Sequence, residues 1–262
     1  MSKKYSVALW GWAARWLAHI WVLKYIEENK IDINEISWTS MWAIIWALFA
    51  IWKSAGEIVE FAKSINYFKL FDLQFKTWIL KWNKVYKKLE EIFWDSNIED
   101  QDIKLKIIAT NIISWKKKVF TEWKIVDAIR ASISLPWIFV PYEIEWEQYV
   151  DGWITNNLPI ESLRWKNIIA VSALKKITGP LKTKRSFLWL KFNRLFLNLN
   201  YQILHRSIVT MMKQNEIKSL ESKNKEILLI EPFFWDLDYY SFNKIDEFVE
   251  IWYKEINKVF KW

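Results

Sequence analysis

Ile36-Ser37-Trp38-Thr39-Ser40-Met41-Trp42-Ala43-Ile44-Ile45-Trp46 sets one serine between two different patterns. Ile33 to Ser37 reads as a short buried strand, and Met41 to Trp52 as an apolar helix. At 12 residues that helix is short for a membrane span and suits a buried core element better. A serine on the sharp turn from strand to helix is where a nucleophile elbow stands, and the elbow needs G-x-S-x-G. The positions two before and two after must be small, because strand and helix pass close by. Here they are Trp38 and Trp42, the largest side chains available, with Thr39 and Met41 between. The layout is that of an elbow; the composition opposes it. Ser40 alone would be an ordinary helix cap.

Two other segments show the same conflict. Leu9-Trp10-Gly11-Trp12-Ala13-Ala14-Arg15-Trp16 follows a strand, Tyr5 to Leu9, and opens a helix, Ala13 to Glu28. Glycine-rich loops at such turns present backbone N–H groups to an anion, but here indoles flank the only glycine. Further on, Gln148 to Val150 leads as a strand into Asp151-Gly152-Trp153, followed by Asn156-Asn157-Leu158-Pro159. Asp-Gly by itself is usually only a turn.

The composition carries the conflict through the whole chain. There are 21 Trp and 4 Gly in 262 residues, where glycine at its usual 7% would number roughly 18. So few glycines leave a packed domain short of residues for φ > 0 positions and close backbone approaches. The rest is ordinary: 52% hydrophobic and 26% charged residues suit a globular domain. With no cysteine and two histidines, His19 and His205, thiolate and multi-histidine metal sites are not expected. The net charge of +8 favours anionic partners such as phospholipid headgroups, although a genome rich in Lys, Ile and Asn codons gives the same charge. Lys3 and Lys4 precede an apolar run that Arg15 interrupts, which is not the pattern of a signal peptide.

Along the chain, Lys104 to Thr110 and Lys118 to Thr121 read as a strand pair and Ile125 to Ser132 as a helix ended before Pro136. Asn167 to Ser172 and Glu226 to Ile230 read as buried strands, and Ile245 to Lys258 as an amphipathic helix. Ser54 is placed to cap a helix. Alternating strands and helices predict an α/β domain with a mainly parallel sheet. No repeat or linker divides residues 1–262, so one domain is expected. Its Lys-rich stretch from Leu174, with Gly179-Pro180, approaches a helical lid or membrane-facing segment at about 174–220. Lys182 to Arg206 mixes basic and apolar residues in a way that suits either a membrane surface or ordinary packing.

Substituting glycine for tryptophan resolves the conflicts together. Residues 9 to 23 become L-G-G-G-A-A-R-G-L-A-H-I-G-V-L, residues 38 to 52 G-T-S-M-G-A-I-I-G-A-L-F-A-I-G, and residues 151 to 159 D-G-G-I-T-N-N-L-P. In that form the chain resembles the bacterial patatin-like phospholipases related to neuropathy target esterase. The family is marked by a glycine-rich oxyanion loop, a G-x-S-x-G elbow and a D-G-G/A segment. Ala109-Thr110-Asn111, the run Arg130-Ala131-Ser132-Ile133-Ser134-Leu135-Pro136-Trp137-Ile138-Phe139, and Trp252-Tyr253 also look like family landmarks. The pattern is that of a gene whose UGA codons mean glycine, translated with UGA as tryptophan. Trp10, Trp12, Trp16, Trp21, Trp38, Trp42, Trp46, Trp52, Trp115, Trp123, Trp137, Trp153 and Trp252 are the positions assigned to glycine, with Trp78 and Trp82 after them. As written, the indoles are expected to obstruct the elbow and the oxyanion loop.

The resemblance implies a three-layer patatin-like fold and a serine-dependent lipid acyl hydrolase working through an acyl-enzyme without a cofactor or metal. Ser40 would be the nucleophile and Asp151 its base, with no histidine in the pair. Trp10, Gly11, Trp12, Ala13, Ala14, Arg15 and Trp16 would form the oxyanion loop, Arg15 ordering it. The elbow would comprise Trp38, Thr39, Met41 and Trp42, and the D-G motif Gly152 and Trp153. The implied partner is a phospholipid or other acyl ester, not nucleic acid. The implied place is the cytoplasm, with peripheral contact to the inner face of the membrane. Two other readings stay open: a catalytically inactive lipid- or partner-binding member, and a dinucleotide-binding loop at residues 10 to 16.

Overall fold

The computed structural model describes residues 3–10, 17–40, 42–51, 54–64, 83–136, 139–174, 189–222, 224–231 and 256–257. Eight strands form one sheet: β1 (Tyr5–Trp10), β2 (Ile33–Thr39), β3 (Lys104–Asn111), β4 (Lys116–Phe120), β5 (Tyr142–Ile144), β6 (Glu147–Asp151), β7 (Asn167–Ser172) and β8 (Glu226–Ile230). The order is β5-β6-β3-β2-β1-β7-β8, with β4 also paired to β3. From β3 to β8 the pairs are parallel; β4, β5 and β6 join antiparallel. The helices are α1 (Leu17–Glu28), α2 (Trp42–Ala50), α3 (Ala55–Ser64), α4 (Asn83–Phe93), α5 (Ile125–Ser132) and α6 (Trp189–Leu220).

Three layers follow from the period of two along buried strands. Val7, Leu9, Ile169 and Val171 face one core, which α1, α2, α3 and α5 cover. Ala8, Trp10, Ile168 and Ala170 face the other, which Leu158, Ile160, Leu163 and Met212 of α6 cover. A sheet buried on both faces explains why β1 and β7 read as continuous apolar runs. Strands β7 and β8 and helix α5 have the bounds expected from sequence; β2 runs two residues further, to Thr39. The helix expected from Ala13 is described from Leu17, and the one expected at Ile245 to Lys258 lies outside the described residues except for 256–257. The helix that Ser54 was placed to cap is α3, whereas helix α4 and strand β5 were not anticipated.

Ser54 does cap α3. Its Oγ accepts from the Glu57 N–H at 3.2 Å, and the Glu57 carboxylate accepts from the Ser54 N–H at 2.9 Å. This reciprocal pair is a capping box. Helix α2 is buried along Ala43, Ile45, Trp46, Ala47 and Leu48, as expected of a core helix. Among the described residues no helix is long and apolar enough to cross a membrane.

Candidate active site

The site arises from a seam in the sheet. Each edge of a strand accepts one partner at a time. Strand β3 pairs with both β4 and β2 at Ile107 and Ile108, so these two lie on opposite edges. At Ala109 it pairs with both β4 and β6, so β6 occupies the edge that β2 leaves. Thr39 is the last β2 residue, opposite Ile108; Asp151 is the last β6 residue, opposite Ala109. The two strands meet end to end on one edge of β3, and the residues at their tips come together.

Ser40 turns out of β2 with φ 70°, a left-handed conformation rare for a residue with a side chain. Its carbonyl accepts the Ala43 N–H at 3.0 Å, closing the first turn of α2. The positive end of α2 is therefore at the serine. Its Oγ donates to Asp151 Oδ2 at 2.5 Å. Ser40 is 8% exposed and Asp151 fully buried.

The carboxylate is fixed from several sides. Asp151 Oδ1 accepts the Trp153 N–H at 3.1 Å, so the aspartate also caps the short 3-10 turn Gly152–Ile154. The Asp151 N–H donates to the Ser134 carbonyl at 2.9 Å, and its own carbonyl accepts from Thr110 Oγ1 at 3.1 Å. Burial pushes the Asp151 carboxyl up to about 7, against the opposing pull of the hydrogen bonds from Ser40 and the Trp153 amide. A carboxylate titrating near neutral pH is matched to a proton-transfer role.

Gly152 explains the second letter of the motif. A Cβ there would lie 2.4 Å from the Ile108 carbonyl oxygen and 2.8 Å from its carbon. The chain leaving Asp151 passes directly over the β3 backbone, so only glycine fits.

Of the indoles at and near the site, Trp38 and Trp46 are fully buried in the core, and Trp10 on the other face of the sheet. The Trp38 and Trp46 indole N–H groups are buried without an acceptor, a cost of about 1–3 kcal/mol each. Residues 11–16 and Met41 lie outside the described residues, as does the side chain of Trp42. His19 is fully buried at the start of α1, and burial holds it neutral, down to about 3. His205 is half-buried on α6 and also lowered by burial.

One contact was not foreseen. Ser132 Oγ accepts the Ser40 N–H at 2.9 Å and donates to the Ile108 carbonyl at 2.7 Å. The run from Arg130 to Phe139 was visible as a landmark, but no spacing rule says that its third residue reaches the elbow.

Comparison with known proteins agrees with this architecture. The Patatin family, described as patatin-like phospholipase, matches residues 11–164, and the chain belongs to that family. An uncharacterised NTE-family protein of Mycobacterium tuberculosis is 30% identical over 191 residues, covering 69% of this chain and 52% of that protein. Lysophospholipase NTE1 of Saccharomyces cerevisiae is 26% identical over 202 residues, covering 72% of this chain and 12% of that protein. The chain thus spans about half the length of its mycobacterial relatives. Among solved structures, VipD from Legionella pneumophila superposes with a TM-score of 0.58 at 10% identity, covering 98% of this chain and 66% of that one.

Proposed function

We propose that this chain is a serine-dependent lipid acyl hydrolase in which Ser40 and Asp151 form the catalytic dyad. The observation that carries this reading is the 2.5 Å hydrogen bond from Ser40 Oγ to a buried Asp151, made by a serine held at φ 70° at the head of α2. Ser40 Oγ attacks the ester carbonyl carbon while its proton passes to Asp151 Oδ2. The tetrahedral oxyanion takes backbone N–H groups of the loop around Gly11, Trp12 and Ala13. Collapse expels the alcohol, which leaves with the proton from Asp151. Asp151 then takes a proton from water, whose oxygen attacks the acyl-Ser40, and that proton returns to Ser40 Oγ as the acid leaves. The substrate is a phospholipid or other acyl ester met at a membrane surface.

The later part of the segment at 174–220 is held to the domain: Met212 is in the core, Glu216 accepts from Ser172 Oγ at 2.7 Å, and Asn215 Nδ2 donates to the Ile154 carbonyl at 3.3 Å.

The reading includes glycine at the motif tryptophans, through UGA codons that mean glycine. Its support is conformational. Among the described residues, half of the non-glycine positions at positive φ are tryptophan: Trp94 at 44°, Trp115 at 60°, Trp123 at 128° and Trp146 at 68°. Glycine is the residue that takes such angles without strain. Trp94 and Trp146 are thereby added to the positions assigned to glycine.

The deciding experiment compares the glycine-bearing chain with its Ser40→Ala variant on lysophospholipid and short-chain esters. Turnover and acyl labelling by a fluorophosphonate should disappear together. If Ser40→Ala keeps both, the dyad reading fails; if the parent itself shows neither, the chain is a binding member of the family.

A further inference from the structure

We propose that Ser132 is a positioning residue for the nucleophile, and that the turn Ser132–Ser134 sets the spacing between Ser40 and Asp151; this rests on the dyad reading. The geometry is specific. A serine hydroxyl has one proton, and that of Ser132 is committed to the Ile108 carbonyl at 2.7 Å. A lone pair is thereby turned to the Ser40 N–H, which donates to it at 2.9 Å. Two residues on, the Ser134 carbonyl accepts the Asp151 N–H at 2.9 Å. One short turn at the end of α5 thus holds the backbone amides of both reactive residues. It is itself rigid: Arg130 donates to Ser134 Oγ at 2.5 Å, Ser134 Oγ donates to the Arg130 carbonyl at 2.8 Å, and the guanidinium lies 5.1 Å from the Tyr142 ring centre. Arg130, Ser132 and Ser134 are all buried, Ser132 with no exposure at all.

Two consequences follow. The left-handed turn at Ser40 is strained, and strain persists only where surroundings over-determine it; Ser132 supplies that restraint from outside the elbow. The Ser40 N–H is also consumed, so it does not serve as an oxyanion donor. In the proposed mechanism that role stays with the loop around Gly11, Trp12 and Ala13.

The test uses Ser132→Ala and Ser132→Thr in the glycine-bearing chain, with Ser40→Ala alongside. Misplacement of a reacting group by about 1 Å costs about 10²-fold. Ser132→Ala should therefore lower kcat about 10²-fold with KM little changed, and slow fluorophosphonate labelling in proportion. Its pH profile should move as well. A slack elbow weakens the Ser40 hydrogen bond that lowers Asp151, so the acidic limb should shift to higher pH. Ser132→Thr, which keeps the hydroxyl, should recover most of kcat and restore the limb. Thermal unfolding separates this from general destabilisation, and if Ser132→Ala does not fold, the threonine variant decides. An unchanged kcat and unmoved limb in Ser132→Ala, a rise in KM alone, or no recovery in a folded Ser132→Thr would overturn the proposal. If Ser40→Ala abolishes turnover while Ser132→Ala is silent, the dyad stands and this inference alone falls. If Ser40→Ala is active, both fall.

Discussion

On the proposed mechanism both chemistry and pH response turn on Asp151. Its carboxyl is up at about 7 because it is buried, and in that mechanism it is ionised when it takes the Ser40 proton. Activity should therefore fall as pH drops through about 7, as kcat/KM measured from pH 5 to 9 will show. The stability effect has the opposite sense. A carboxyl raised in the fold favours folding while protonated, and this contribution is lost as pH rises from about 4, the unfolded value, through 7. Asp151→Asn should abolish turnover, yet gain on the parent at pH 8 by up to about 4 kcal/mol relative to pH 4 in urea unfolding. The neighbouring residue predicts a loss instead. Gly152→Ala drives a methyl to 2.4 Å from the Ile108 carbonyl oxygen. Since backbone lies on the other side, it should lower stability by at least about 1–3 kcal/mol and cut turnover, measured by urea unfolding and ester assay.

At the scale of elements, much of the fold was legible because β1, β2 and β7 are buried runs separated by helices; β8, also expected to be buried, is an edge strand buried only at Ile230. Alternation alone delivers a parallel sheet in three layers. Strand β5 is only Tyr142–Ile144, too short to carry a period, whereas α4 does carry one, with Tyr86, Leu89 and Phe93 at helical spacing. The hydrogen bond between Ser40 and Asp151 was legible through its motif context, whereas Ser132 was not. Its contact with Ser40 joins residues 92 apart through a side chain, and no local pattern encodes such a meeting. The turns that connect elements carry the third prediction. Holding a large side chain at positive φ costs about 1–3 kcal/mol. Trp115→Gly, Trp123→Gly and Trp146→Gly should each raise the thermal midpoint, Trp123 most because its φ of 128° lies furthest from the left-handed helical region. Trp165→Gly is the control: 45% exposed but not at positive φ, it should give no gain. Equal responses at all four positions would remove the conformational support for glycine there.

For the whole molecule, the same reading makes a prediction about mass. A chain made in its native host should weigh less than 31.9 kDa by one indole-methyl group for every exchanged position. An intact mass at the full value would sink the codon reading and leave the fold untouched. The meeting of β2 and β6 on one edge of β3 has a further consequence, during synthesis. The serine is made 111 residues before the aspartate it bonds, and closing so long a loop is among the late and slow events of folding. On the proposed mechanism, a ribosome-bound chain that stops short of β6 carries the nucleophile without its base. The growing protein would then be inert toward acyl esters until the strand that brings Asp151 has paired.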